Sequence, residues 1–243
     1  MNYKEYIPSV ELSNFIDKFW IASEIENGFS QRILPEACTN FVFLLNENEG
    51  TSNVLGVNTK FSQFKPSRND YYVGVSFQPG ILGILTKEDF SQFQDSHIPI
   101  AELFPEFNNV YIEQLNEQNS DFKRVDFVKS SLQKMLLPKI TETRLLSTSV
   151  ANFIKADHVN AVENIAKQHH ISIRQLQRKF KSEVGTSMKV FSRIIRFNKA
   201  VERIKKSKNE SLLSISLDLG FYDHSHLTNE IKHFSGVHPS QLR

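Results

Sequence analysis

From Lys139 to His238 the chain contains no proline, so nothing along that stretch forbids one helix after another. Its apolar residues recur at helical spacing, and residues 143–243 read as helix throughout. The preceding part has another character: 14 of the 20 phenylalanines and six of the nine glycines lie before position 143. Strand-like runs at 15–25, 39–45, 61–65 and 71–77 are separated there by Asn, Gly, Ser and Pro, and Pro79-Gly80 closes the last of them. Shorter helical candidates follow, with Thr86 and Asp89 placed as a capping box. Residues 107–138 read as two helices broken at Asn119-Ser120-Asp121. Val125, Val128, Leu132 and Met135 or Leu136 form one apolar face, expected to pack on its own domain rather than on a second copy. The expected fold class is α+β in two domains: a β-rich domain at 1–106, a helical connector at 107–142 and an all-α domain at 143–243.

The helical part carries a weak duplication. Val162 to Ala166 matches Leu212 to Ser216, each opening a short helix after a good cap, Asn160 (with Glu163 as a capping box) or Ser211. Each short helix meets a break, at His169-His170-Ile171 or at Leu219-Gly220-Phe221. A longer helix then begins near Ser172, burying Leu176 and Phe180, or near Asp223, burying Leu227 and Ile231. Each copy ends at a glycine, Gly185 or Gly236. The offset is 50 before the turn and 51 after it, so the second turn holds one extra residue. Helix, short turn, helix is the arrangement that presents its second helix to the DNA major groove.

Charge divides at the same place. Residues 143–243 hold 17 Lys and Arg against 8 Asp and Glu, whereas residues 1–142 hold 12 against 19. A basic segment beside an acidic one points to a polyanionic partner, here double-stranded DNA. On the first long helix Arg174, Gln177, Arg178 and Lys181 stand at i, i+3, i+4 and i+7, one stripe opposite Leu176 and Phe180. Shifted by 51, the stripe is Ser225, Thr228, Asn229 and Lys232, with His224 at its start. Arg matches guanine O6 and N7 and Gln or Asn matches adenine N6 and N7, while Ser and Thr discriminate poorly. Base contacts are therefore expected from Arg174, Gln177, Arg178, Lys181, His224, Ser225, Thr228 and Asn229, with more information in the first helix.

Between the units, Ser187 to Lys206 reads as one amphipathic helix through Phe191, Ile194, Ile195, Val201 and Ile204. Its length of ~30 Å is close to the ~34 Å between major-groove segments on one DNA face. Phosphate contacts are expected from Ser172, Ser187, Arg193, Lys199, Arg203, Lys205, Lys206 and Lys232, with Arg196 as an internal structural pair.

Residues 143–243 resemble the DNA-binding domain of the AraC/XylS family of bacterial transcription regulators. The matching stretches are Ser172 to Lys181 (SIRQLQRKFK), Gly185 to Met188, Arg196 with Ala200, Gly220 to Leu227 (GFYDHSHL) and Gly236 to Ser240 (GVHPS). The resemblance implies seven helices, two helix-turn-helix units and base contacts from the stripes. His169-His170 departs from a usual glycine, Asn229 from a commonly basic residue, and His238-Pro239 from a Ser-Pro pair that would cap a helix. More weakly, Phe15 to Trp20, Leu34 to Phe43 and Gly74 to Gly80 resemble the amino-terminal domain of one branch of the family, with Glu36-Ala37 in place of Asp-Gly. That implies a cupin-like β-barrel serving as sensor or dimerisation module. RNA polymerase, a small-molecule effector in the first domain and a second copy of the chain are further candidate partners. An alternative makes the first domain a docking module for another protein.

An enzyme is the rival class, including a cupin-like one. Gly-x-Ser-x-Gly, Gly-x-x-x-x-Gly-Lys and His-Glu-x-x-His are absent from the sequence. Cys38 with His97 could be imagined as nucleophile and base, but a lone cysteine in a strand is the better reading. His224 and His226 are two apart on a helix and point to different faces, against a metal cluster with His233. No cofactor, no metal and no catalytic residue is expected. One cysteine, no apolar run near ~18 residues and no signal-peptide core imply a cytoplasmic protein without a membrane association.

Overall fold

A computed structural model describes residues 1–23, 25–26, 28–46, 50–139, 146–155, 161–207 and 210–242. Eight strands run through its first part: β1 (Asn2–Tyr6), β2 (Ile16–Ser23), β3 (Gln31–Ile33), β4 (Asn40–Leu45), β5 (Thr51–Leu55), β6 (Ser62–Phe64), β7 (Tyr71–Phe77) and β8 (His97–Pro99). Six form an antiparallel sheet in the order β1-β2-β7-β4-β5-β8, and β3 pairs with β6 in a second, two-stranded sheet. In register, Trp20 lies opposite Gly74. Only glycine fits there, because a Cβ at position 74 would stand 1.9 Å from the indole ring.

Short helices follow: α1 (Ile81–Thr86), α2 (Ile100–Leu103), α3 (Asn109–Asn116) and α4 (Asp121–Leu136). One core joins strands and helices, with Phe41, Phe43, Phe77, Phe104 and Phe107 packed beside Tyr111, Val125, Val128, Leu132 and Leu136. The Phe41 ring meets those of Phe77, Phe104 and Phe107 edge-on at 4.7, 5.4 and 5.5 Å. Each such ring stabilises the fold by ~1.5–3 kcal/mol through burial, and each edge-on pair adds ~0.5–1.5. The helices read as a connector thus complete the core of the sheet, as the Val125 to Leu136 face predicts. Asp121, at the first turn of α4, ties it down by accepting from Lys4 Nζ at 2.7 Å and Tyr71 Oη at 2.6 Å.

Two local expectations are corrected. Thr86 and Asp89 make no capping box: the Thr86 hydroxyl donates back to the Leu82 carbonyl at 2.8 Å. Asp89 instead caps a 3-10 turn at Phe90–Phe93 by accepting from the Ser91 amide. Nor does His238 remove a cap, because its Nδ1 accepts from the Ser240 amide and Gln241 closes the capping box over a final 3-10 turn.

The second part is helical: α5 (Leu146–Lys155), α6 (Ala161–Gln168), α7 (Ile173–Val184), α8 (Met188–Lys206), α9 (Leu212–Asp218) and α10 (His224–Ser235). Leu176, Phe180, Phe191, Ile194, Phe197, Ile204, Ile215, Leu227 and Ile231 form its core. The Asn160 cap lies outside the described residues. Leu34, Ala37 and Val57 of the sheet part enter this second core. Thr148 Oγ1 donates to the Pro79 carbonyl at 2.8 Å, and Asn198 Nδ2, in the middle of α8, to that of Pro35 at 3.2 Å.

Candidate nucleic-acid interface

The two turns repeat each other hydrogen bond by hydrogen bond. The His170 amide donates to the Lys167 carbonyl and that of Ile171 to Ala166. Fifty residues on, Gly220 donates to Leu217 and Phe221 to Ser216. Position 220 takes the left-handed backbone at φ 70° that glycine tolerates, and His170 takes it at φ 51°. A side chain in that conformation costs on the order of 1 kcal/mol, so the departure from glycine leaves the turn's path unchanged but strained. The extra residue of the second turn is Tyr222, 87 % exposed.

Both long helices are capped at both ends. Ser172 and Gln175 form a full capping box on α7, and Asp223 accepts from the His226 amide on α10. Gly185 and Gly236 end them in the left-handed conformation. Leu176 and Phe180, like Leu227 and Ile231, are buried as the duplication predicts. Opposite them Arg174, Gln177, Arg178 and Lys181 are all exposed, as are His224, Ser225, Asn229 and Lys232, with Thr228 half-buried. The starts of the two helices open onto one groove of about 680 Å³, lined among others by Ile173 of α7, His226 of α10 and Lys189, Ser192, Arg193 and Arg196 of α8. Lys189 and His226 are groove residues that the reading of the sequence left out. Their helical positions carry the only signal: His226 sits one residue past Ser225, and Lys189 four residues before Arg193 on α8.

The cations of α8 divide. Arg193 donates to Glu230 from Nε at 3.0 Å and from Nη2 at 2.7 Å, and lies over the Phe234 ring. Burial pushes the Glu230 carboxyl up, but the Arg193 guanidinium outweighs it and holds the group below its usual range. Arg203 joins Glu210 and Asp218, the latter at 2.6 Å. Lys199 donates to the Lys155 carbonyl at 2.8 Å, and Lys206 pairs with Glu202. Arg196 donates to the Gly220 carbonyl at 2.9 Å and covers the Phe221 ring, holding the second turn against α8 as an internal pair. Lys205, Lys206, Ser172 and Lys232 lie exposed, and Ser187, half-buried, spends its hydroxyl on the Val190 amide as the cap of α8.

Burial, with the Glu36 carboxylate beside it, pushes the Cys38 thiol well above its ordinary range, the opposite of an activated nucleophile. Cys38 precedes β4 rather than lying in it, and its recorded partners are Glu36 and Asn40, while His97 is exposed on the edge strand β8. His226 uses Nδ1 to accept from the Tyr222 amide, a structural bond within the turn.

Residues 165–243 match the family described as a helix-turn-helix domain, and residues 4–99 one described as a domain of unknown function, DUF6597. Over 82 residues the chain is 33 % identical to the HTH-type transcriptional regulator MtrA of Neisseria gonorrhoeae, covering 34 % of this chain and 27 % of that protein. The chain therefore spans about a quarter of that relative's length. Among solved structures, the C-terminal domain of AraT, a response regulator from Geobacillus stearothermophilus, is 24 % identical over 42 % of this chain and 87 % of that one, with a TM-score of 0.36. ToxT from Vibrio cholerae is 14 % identical over 99 % of this chain and 96 % of that one, with a TM-score of 0.40.

Proposed function

We propose, from the premise that the carboxy-terminal domain of this chain is a helix-turn-helix domain of the AraC/XylS family of transcription regulators, that the protein recognises a bipartite sequence in double-stranded DNA and regulates transcription there. The observation that carries the reading is the pair of turns with matching backbone hydrogen bonds, each followed by a long helix whose polar stripe lies largely exposed opposite its buried face. In this reading α7 and α10 enter successive major-groove segments with α8 as the strut between them. Its 19 residues at ~1.5 Å each give ~28 Å, and the stripes add the remaining reach to a ~34 Å helical repeat.

Arg174, Gln177, Arg178 and Lys181 supply most of the base reading, and His224, Ser225, Thr228 and Asn229 mainly position the second head. Lys205, Lys206, Lys232 and Ser172 hold phosphates from exposed positions. Arg193 and Arg203 shape the scaffold through their carboxylate partners, and Lys199 through the Lys155 carbonyl. The centre of the sheet is occupied by Phe41, Phe43, Phe77, Phe104 and Phe107, which favours a mechanical part for the first domain over an effector bound at that centre. Among the described residues no helix is long and apolar enough to cross a membrane.

Selection of bound duplexes from random-sequence DNA tests the reading. The expected product is a site of two short conserved blocks with centres about one helical turn, ~10 base pairs, apart. Failure to enrich any sequence, or enrichment of one uninterrupted block, would refute it.

A further inference from the structure

Both reading helices end on a left-handed glycine, and both ends rest on the sheet domain. At the end of α7, a Cβ on Gly185 would stand 3.1 Å from the Phe90 carbonyl oxygen. Two residues earlier on α7, Gly83 of α1 lies flush with the helix backbone, where a Cβ would fall 2.4 Å from the Glu183 carbonyl oxygen and 2.6 Å from its Cα. Asp89 stands beside the same turn; its carboxyl is held below the usual range chiefly by the Ser91 hydroxyl and amide, with Ser182 and Lys181 adding to it. At the end of α10, the Phe61 ring covers Gly236, so that a Cβ there would fall 2.4 Å from the ring edge. Between the two rests, Asn198 of α8 is tied to the Pro35 carbonyl.

These contacts take the last turns and the glycine caps, while Arg174, Gln177, His224 and Ser225, toward the helix starts, stay exposed. A 12-residue helix is ~18 Å long, so a tilt of ~10° about its end moves its start by ~3 Å, close to the ~3.4 Å rise of one base pair. Whatever fixes the tilt of α7 and α10 therefore fixes the separation of the two blocks they read.

We propose that the sheet domain works as a caliper, with Gly83 and Phe90 on one helix and Phe61 on the other as positioning residues that set the spacing between the two half-reads. The inference rests on the DNA reading given above. It differs from a strut of α8 alone, which would hold the spacing with no help from the sheet.

The test uses the full chain and the bipartite duplex recovered by selection, together with the same duplex carrying one base pair more or fewer between the blocks. The wild type is expected to bind the altered duplexes about tenfold or more weakly. Phe61→Ala removes one rest, and Gly83→Ala drives a methyl between α1 and α7. Each is expected to compress that ratio to about threefold or less, while scrambling either block costs as much as in the wild type. Spacing preference unchanged in variants that melt as the wild type does would overturn the caliper and assign the spacing to α8. A wild type that binds none of the duplexes above random DNA overturns the two-headed reading itself, and the caliper with it. Phe61 is 39 % exposed, so its truncation leaves both cores intact and decides the question should Gly83→Ala not fold.

Discussion

His170 shows at one residue how a duplication tolerates divergence. The hydrogen bonds of its turn are those of the Gly220 turn, yet an imidazole-bearing residue holds φ at 51°. His170→Gly should relieve that strain and stabilise the chain by ~1 kcal/mol, raising the melting temperature by ~2–4 °C; an unchanged or lower melting point would contradict it. Arg178→Ala should weaken binding to the selected duplex by ~1–3 kcal/mol and relax preference at one base pair, read by competition against single-base variants. Equal loss on random DNA would mean that the side chain only meets phosphate. Lys205→Ala should instead lower affinity on every sequence and reduce the salt slope by ~0.9. The basic run of α8 was legible as charge but not as assignment. Periodicity gives the face of a helix, whereas the partner of Arg193 is Glu230, on another helix, and a pattern within one element carries no trace of it.

Among the elements, α4 depends on its first residue. Asp121 binds Lys4 of β1 and Tyr71 of β7, and these two hydrogen bonds hold its carboxyl below the ordinary range. A depressed carboxylate contributes stability at pH values above its unfolded pKa of ~3.9 and loses it as pH falls through the folded value. Urea titrations should therefore show the wild type losing stability between about pH 5 and pH 3 more steeply than Asp121→Asn, which should be less stable by ~1 kcal/mol at neutral pH. Parallel pH curves would remove the ion pair from the account. Strands β2, β4 and β7 were legible because apolar and β-branched residues cluster in them, and β6 only through the phenylalanines at 61 and 64 of its run. The polar NYKEY of β1 and the three-residue β3 and β8 lack that pattern, and their pairing with neighbours supplies what their composition does not. The long helices α7 and α10 were legible from cap to glycine, since caps, apolar spacing and turn residues agree there.

Across the whole molecule, two hydrophobic cores meet where the sheet part lends Leu34, Ala37 and Val57 to the helices. That meeting was not legible, because Gly83 reads locally as a weak helix position and Phe61 as a strand edge. Their worth lies in what the far part of the chain brings against them. One consequence concerns light. The only tryptophan, Trp20, lies over Gly74 in the sheet, far along the chain from every DNA-reading residue. Its emission is an indicator wired to the amino-terminal half alone, so any shift in colour or intensity on titrating duplex into the protein is a signal that has travelled from the helices across the seam.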